Sequence, residues 1–357
     1  MNICVLFGGK SGEHEVSLRS AASVIRHLDP DKYKVTAIGI DKTGRWHLQE
    51  RIVATAVPGQ GEVLSILPSN DIVSIVPSDG IHTRAGKLDI DCVFPVLHGN
   101  FGEDGIVQGL LESAGLPYVG AGVLGSAASM DKEAAKRLWR DNGLPIVDFA
   151  VVRHSHVADD LAAAGERLGW PVFVKPCASG SSLGASRAQS PSDLGGAVAE
   201  ALRFDSRALL ERYIDAREIE CAVIGNATPR AFKPGEIVPG ATHGFYDYDA
   251  KYTDPDGARL VATADLDVAT RDHIMRTAEA AYAAVRCEGM ARVDFFLERG
   301  TGNIYLNEIN TIPGFTSISM FPRMCQASGL DYPTLLSTVI DLAVARSEQR
   351  KTLRFEK

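Results

Sequence analysis

The chain has 357 residues, 45% of them hydrophobic and 23% charged, and 37 basic against 45 acidic side chains give a net charge of −8. That length carries two or three domains with proper cores, and the negative balance argues against nucleic acid or an anionic membrane as the main partner. No apolar run approaches a membrane span, the opening NICVLF lacks a basic signal region, and Cys4, Cys92, Cys177, Cys221, Cys287 and Cys325 show no CxxC spacing, which fits reduced thiols in a cytoplasmic protein.

Asn2 to Phe7 reads as a short buried strand, followed by Gly8-Gly9-Lys10-Ser11-Gly12 and an amphipathic helix over about Val16 to Leu28. Strand, glycine loop and helix open an α/β unit whose loop can offer N–H groups to an anion. The Gly-Lys-Ser triplet is no P-loop, because Cys4 stands where that motif wants glycine, and GxGxxG is absent. His14-Glu15-Val16-Ser17 sits where loop becomes helix, so it suits either a ligand contact or a first turn in which Glu is favoured by the helix dipole. Val35 to Ile40 is a second strand, and residues 50 to 88 read as a peripheral ribbon without chemistry. Cys92 to Leu97 is a third strand ending in HGNFGEDG, the position of a ligand crevice in an open α/β sheet. His98 there suits a structural histidine as well as a catalytic one. A helix over Ile106 to Ser113 and a short strand at Tyr118-Val119 complete the first domain, with a boundary near Ser129.

Beyond it, Lys132 to Asn142 and Leu161 to Leu168 are helical, the first closed by Gly143 and Pro145. Val172 to Pro176 is a strand, CASGSSLG follows, and Ala185 to Arg187 returns. Small hydroxyl-bearing residues between two strands, with Lys175 at the end of the first, suit a flap whose amides close over phosphates. Ala208 to Ile214 carries Glu211 and Tyr213, and Glu218 to Ile224 places Glu218 and Glu220 on one face. The long aromatic segment from Pro239 to Gly257 reads as a lid, with Lys251 and Tyr252 as its reaching residues.

A long helix over Asp267 to Arg286 precedes two β-type runs, Arg292 to Glu298 and Ile304 to Asn310, split by Gly300-Thr301-Gly302. A turn centred on Thr301 sets Asp294 opposite Glu308 and Arg292 opposite Asn310, all on one face. The other face receives Val293, Phe295, Leu297, Tyr305 and Ile309, with Asn307 as a polar intruder. Opposed carboxylates repel at about 4.5–5.5 Å between Cβ atoms. The pattern therefore suits either a cation site of hard oxygen donors, of the kind Mg²⁺ takes, or a solvated hairpin face. A donor-rich turn from Thr311 to Ser317 and a helix over Tyr332 to Arg346 follow, and a frayed tail is expected from Ser347.

These segments together resemble the D-alanine–D-alanine ligases of the ATP-grasp superfamily over the full length. The resemblance rests on FGGKSGEHEVS, HGNFGEDG, MDK at 130 to 132, VKPCASGSSLG, ERYIDAREIE, FYDYDAKY, ARVDFF and LNEINTIPGFTSISM, in the family's order. It implies an α/β (α+β) ATP-grasp fold: an N-terminal open α/β domain over 1–128, a central subdomain with the flap over 129–209, and a C-terminal subdomain with lid and metal site over 210–357.

The resemblance also implies ATP-dependent joining of two D-alanines through a D-alanyl phosphate. Asp294, Glu308 and Asn310 are then the ligands of two Mg²⁺, with Mn²⁺ able to substitute. Arg292 and the Gly314 N–H serve the transferring phosphoryl group and the oxyanion. Lys132, Lys175, Ser182 and the flap around Ser181 meet ATP phosphates; Glu211, Tyr213 and Ile214 line the adenine pocket, and Glu218 takes the ribose. Glu15, steadied by Ser181 and Tyr252, binds the first ammonium, beside His98. Ser319 and the Met320 N–H hold the second carboxylate, and Lys251 lies between it and the γ-phosphate. A homodimer is implied, with no nucleic-acid or membrane partner. Asn100-Phe101 and Cys177-Ala178-Ser179 fall at variable positions of the family pattern. The alternatives are a ligase taking D-lactate second, which the retained FYDYDAKY disfavours because it goes with an amine nucleophile, a ligase taking D-serine second, and a non-catalytic nucleotide-binding module, whose mark would be loss of a metal ligand or of Arg292.

Overall fold

The computed structural model describes residues 1–57, 61–155, 158–240, 257–316 and 318–354. The first sheet holds β1 (Asn2–Gly8), β2 (Lys34–Ile40), β3 (Trp46–Gln49) and, beyond five short peripheral strands, a further strand over Cys92–Val96. Those peripheral strands are β4 (Ala54–Val57), β5 (Gly61–Leu64), β6 (Ser74–Val76), β7 (Gly80–Thr83) and β8 (Gly86–Lys87), so the Cys92–Val96 strand is β9. The order is β3-β2-β1-β9, with β1 parallel to both β2 and β9 and β3 antiparallel at the edge. Six of the seven residues of β1 and all five of β9 are buried, which is why both read as unbroken apolar runs rather than alternating ones. The chain leaves β1 through Gly8 and Gly9, both at positive φ, and Gly9 N–H donates to the Ile40 carbonyl (2.8 Å). A Cβ on Gly8 would lie 2.2 Å from that same carbonyl oxygen, so no other residue fits the exit.

Helix α1 (His14–His27) packs on this sheet and begins two residues earlier than the periodicity suggests. α2 (Ile106–Ser113) has the expected bounds. α3 (Val123–Met130) was not foreseen; the boundary expected near Ser129 falls in its last turn. α4 (Lys132–Asp141) starts at Asp131, whose carboxylate accepts from Ala134 N–H (3.0 Å).

The second sheet is antiparallel, in the order β10-β13-β11-β12, from β10 (Phe149–Arg153), β11 (Val172–Pro176), β12 (Ser186–Ala188) and β13 (Arg207–Arg212). α5 (Ala158–Leu168) and α6 (Pro191–Ala201) cover one face, leaving the other to the cleft. α6 was also missed, although its capping box, Ser190 with Asp193, is a sequence-level start signal.

The third sheet runs β17-β16-β14-β18-β19 through β14 (Ala216–Gly225), β16 (Gly235–Pro239), β17 (Ala258–Val261), β18 (Gly289–Glu298) and β19 (Ile304–Asn310), with β15 (Arg230–Ala231) pairing β14. α7 (Val268–Ala284) seals its outer face around Tyr282, Ile274, Val293 and Phe295. α8 (Met320–Ala327) and α9 (Tyr332–Lys351) close the chain. The expected fray at Ser347 is not observed, since α9 is helical through Lys351 and Arg350 pairs with Glu112 of α2.

Within the β18–β19 hairpin the register pairs Arg292 with Asn310 and Asp294 with Glu308, as expected. Phe295 pairs with Leu306, not Asn307, so Asn307 is an extra residue in a β-bulge. An extra residue reverses the faces of everything beyond it. Leu306 and Ile304 therefore point into the apolar core and Tyr305, assigned to that core from alternation, lies on the cleft side beside Arg212 and Glu298. Asn307 ceases to be an intruder: its side chain faces the cleft.

Candidate active site

The three sheets converge on one cleft of about 650 Å³, within the usual size of small-molecule sites. Its floor is the inner face of the third sheet. Glu220 of β14 pairs with Asp294, and Asp294 pairs with Glu308, so three carboxylates stand in a row across three strands. In the adjacent row Arg292 stands beside Asn310. Arg292 donates from Nε and Nη2 to both Asp294 oxygens (2.7 and 2.6 Å) and lies 3.2 Å from Glu220. Burial alone would lower the guanidinium pKa, but Asp294 and Glu220 outweigh it and hold the group well above its ordinary value. Asn310 donates to Asp294 (3.0 Å), and Lys132 lies 3.2 Å from Glu308.

Among the described residues no three His, Cys, Asp or Glu side chains are arranged to enclose a metal. Two opposed carboxylates with an amide oxygen nearby are nonetheless the partial, hard-oxygen set that Mg²⁺ takes when phosphate and water complete its shell. The donor chemistry fits.

One side of the cleft is cationic. Lys132, the first residue of α4, also donates to the Ser179 carbonyl (2.8 Å) at the base of the flap. Lys175, at the end of β11, pairs with Glu211 (2.7 Å) and donates to Asn307 (3.0 Å). Glu211 meets a second lysine, Lys136 of α4, at 2.6 Å. Burial would raise its pKa, yet Lys136 and Lys175 bring it down to about 2. Both Glu211 oxygens are thus turned to lysines, and it works as a counter-ion at the pocket wall. Tyr213, Ile214 and Glu218 line the same cleft, and Arg187 stacks over the Tyr213 ring.

The flap tip is a tight turn: Ser181 and Ser182 both have positive φ, 52° and 56°, and Leu183 N–H donates to the Gly180 carbonyl (3.2 Å). Two successive non-glycine residues in this region carry local strain, which folds retain mainly at functional sites. The tip rests on the first domain, where Ser181 Oγ donates to Glu13 (2.6 Å).

That contact corrects the loop reading. Glu15 points outward, largely exposed, and pairs with Lys42 at 2.8 Å. Glu13 is the carboxylate that lines the cleft. It fits because Gly99 and Gly180 flank it; a Cβ on either would lie 2.7 Å from Glu13 Oε2.

His98 also lines the cleft, and both its ring nitrogens are engaged in holding the next turn. Burial pushes its pKa down despite Glu13 nearby, so the ring is neutral. Nδ1–H then donates to the Ile312 carbonyl (2.9 Å) and Nε2 accepts from Ser20 (3.0 Å), a tautomer assigned from these bonds. Glu103 grips the same residue from the other side, accepting from Ile312 N–H (2.9 Å) and Gly99 N–H (2.8 Å). The turn so clamped carries Gly314, and beyond it Ser319 and Met320 open α8; all three line the cleft. Ser319 Oγ accepts from Thr316 N–H (3.1 Å). Lys251 and Tyr252, like most of the segment read as a lid, lie outside the described residues.

Sequence reasoning missed Glu13, Glu103, Glu220, Lys136 and Asn307 as parts of this site. Glu103 sat in the glycine-rich crevice loop, and Lys136 lies one helical turn beyond Lys132 on the same helix face, so both had a readable signal.

Models of two families match the chain: D-ala D-ala ligase N-terminus over residues 2–121 and D-ala D-ala ligase C-terminus over 138–341. A D-alanine–D-alanine ligase of Treponema denticola is 47% identical over 99% of both chains. A D-alanine–D-alanine ligase A of Bradyrhizobium diazoefficiens is also 47% identical, over 99% of this chain and 97% of that one. Among solved structures, the D-alanine–D-alanine ligase of Coxiella burnetii superposes with a TM-score of 0.84 at 36% identity, over 98% of this chain and 96% of the other. The VanG D-Ala:D-Ser ligase of Enterococcus faecalis gives 0.82 at 31% identity, over 96% and 99%.

Proposed function

The chain belongs to the D-alanine–D-alanine ligase family, and from that premise we propose how its cleft does the family's work. The protein is an ATP-dependent ligase that joins two D-alanines into the dipeptide used for peptidoglycan precursors. It has the ATP-grasp fold.

ATP lies between the second and third sheets, its phosphates against Lys132, Lys175, Ser182 and the flap amides, its base beside Tyr213 and Ile214, its ribose on Glu218. Asp294, Glu308 and Asn310 would hold two Mg²⁺, or Mn²⁺, whose part is to shield the β- and γ-phosphate charge. Glu13, rather than Glu15, takes the ammonium of the first D-alanine, with Ser181 closing on it and His98 and Glu103 setting the floor. Its carboxylate attacks the γ-phosphorus and ADP leaves, giving D-alanyl phosphate. Arg292 and the Gly314 N–H bind the oxyanion formed when the second amine attacks that acyl phosphate and phosphate departs. Such preorganised donors are commonly worth ~3–4 kcal/mol each. Ser319 and the Met320 N–H receive the second carboxylate, at the start of α8 where the helix dipole favours an anion. For Lys251 and Tyr252, outside the described residues, we keep the roles that the resemblance implies.

The observation that carries this reading is the row Glu220–Asp294–Glu308 facing Lys132, with Arg292 alongside. We further propose a cytoplasmic homodimer; among the described residues no helix is long and apolar enough to cross a membrane. For the domains we propose the division 1–128, 129–209 and 210–357 with the second cut moved from inside β13 into 213–215, which keeps the second sheet whole.

The test is ADP release with D-alanine, L-alanine, D-serine and D-lactate offered in parallel. D-Alanine alone should support turnover and L-alanine should not. Faster turnover when D-serine joins D-alanine would favour the activity named for the VanG relative. ADP release indifferent to all four would reduce the chain to a nucleotide-binding module.

A further inference from the structure

Lys136 has no exposed surface and lies behind the part of the cleft wall formed by Glu211 and Lys175, and the reaction as derived above makes no use of it. It lies one turn beyond Lys132 on α4 and reaches two other elements. Its ammonium pairs with Glu211 Oε1 of β13 (2.6 Å) and donates to the Leu306 carbonyl of β19 (3.3 Å), next to the bulge at Asn307. The other Glu211 oxygen meets Lys175, which in turn meets Asn307. One carboxylate is thus shared between two ammonium groups, and the pair exceeds it by one positive charge.

A buried lysine is costly unless paired, and here burial and the neighbouring lysines pull the Lys136 pKa down while Glu211 supports it. A lone Lys175–Glu211 pair would be self-sufficient and electrically neutral. Adding Lys136 at the far oxygen changes that. Each lysine then competes for a shared counter-ion, and the one at the open wall of the cleft, Lys175, keeps attraction to spare for an anion.

Resting on the reading of this cleft as an ATP site, we propose that Lys136 is a positioning residue for the nucleotide phosphates: it occupies half of Glu211 so that Lys175 stays available to ATP. It touches no substrate. Its effect passes through Glu211 to Lys175, and through the Leu306 carbonyl to the bulge that aims Asn307 at the same ammonium.

The test compares Lys136→Met, Lys136→Gln and the double variant Lys136→Met/Glu211→Gln. Lys136→Met leaves Glu211 to Lys175 alone and Lys136→Gln leaves Lys175 as its one cationic partner, so KM for ATP should rise at least tenfold in both while KM for D-alanine stays within about twofold. The double variant removes charge from both members, restores a net positive Lys175, and should bind ATP better than either single variant although it lacks one more native group. If Lys136→Met does not fold, Lys136→Gln, which keeps a donor for Glu211, supplies the comparison.

A purely structural bolt predicts a different ranking, in which the double variant is as weak as, or weaker than, the single ones. That ranking overturns the proposal. So does an ATP KM within twofold of wild type in a folded single variant, and so does an equal rise in both KM values. Isothermal titration with ATP alone gives the same ranking without turnover. If wild type binds ATP but never releases ADP with D-alanine, the family activity fails and the Lys136 comparison still reads.

Discussion

Glu211 and Glu103 are two buried glutamates bordering one cleft, and they are held in opposite states. Glu211 lies between Lys136 and Lys175 and is kept down to about 2. Glu103 has two backbone N–H donors but no lysine, and burial together with the nearby Glu13 carboxylate raises it to about 8. The difference shows that local counter-ions, not depth, decide charge here. It also divides the cleft into a cationic end, where we place the phosphates, and a carboxylate-rich end, where we place an ammonium. Arg292 stands between them, paired with Asp294 and Glu220.

The largest effect should come from breaking that midpoint. Arg292→Ala should lower kcat by about 10²–10³-fold, the loss typical of a preorganised charge-stabilising donor, with both KM values changing far less. A steady-state assay varying ATP and D-alanine separately reads this. Loss confined to one KM would place Arg292 at one end of the cleft and undo the division.

The amino-acid end can be broken on its own. Glu13→Gln should raise KM for D-alanine by roughly 10–100-fold, the range of a charge-assisted hydrogen bond worth ~1.5–3 kcal/mol, and leave KM for ATP nearly unchanged. Glu15→Gln, in an exposed pair with Lys42, should stay within about twofold of wild type. The reverse ranking would return the ammonium to Glu15.

This contrast marks where the sequence was legible. The opposed carboxylates of the hairpin were readable because strand alternation and a glycine turn fix the register near Asp294. Tyr305 and Asn307 were misassigned because a bulge adds one residue without breaking the apolar pattern. Glu13 and Glu15 flank His14, and only the helix start at His14 and the flap contact from Ser181 distinguish them. Both are tertiary facts, as is the sharing of Glu211, since Lys136, Lys175 and Glu211 come from three separate elements.

The cationic end has its own support. Arg207 of β13 joins Asp131 and Glu133 (2.5 and 2.6 Å), fixing the first turn of α4, from which Lys132 reaches the flap base. Arg207→Gln should weaken ATP binding by about fivefold, or ~1 kcal/mol, because the pairs are partly solvated. D-Alanine affinity measured alongside should not move. An equal change in both would mean that α4 braces the whole cleft.

The smallest effect is a slope. Glu103 titrates at about 8 when folded against an ordinary 4.5, so between those values the folded protein keeps a proton that the unfolded chain releases. Its contribution to stability is therefore complete below about pH 4.5, declines as pH rises, and is gone above about 8. Urea unfolding at pH 5.5 and pH 8 should show this decline in wild type and a shallower one in Glu103→Gln, which cannot ionise. An unchanged slope in the variant would show that Glu103 is not the group responsible. Ionised Glu103 beside Glu13 would deepen the negative field where the ammonium sits while still gripping Ile312. The carboxylate-rich end should therefore bind D-alanine no less well at pH 8 than at pH 7, even as the fold around it loses stability.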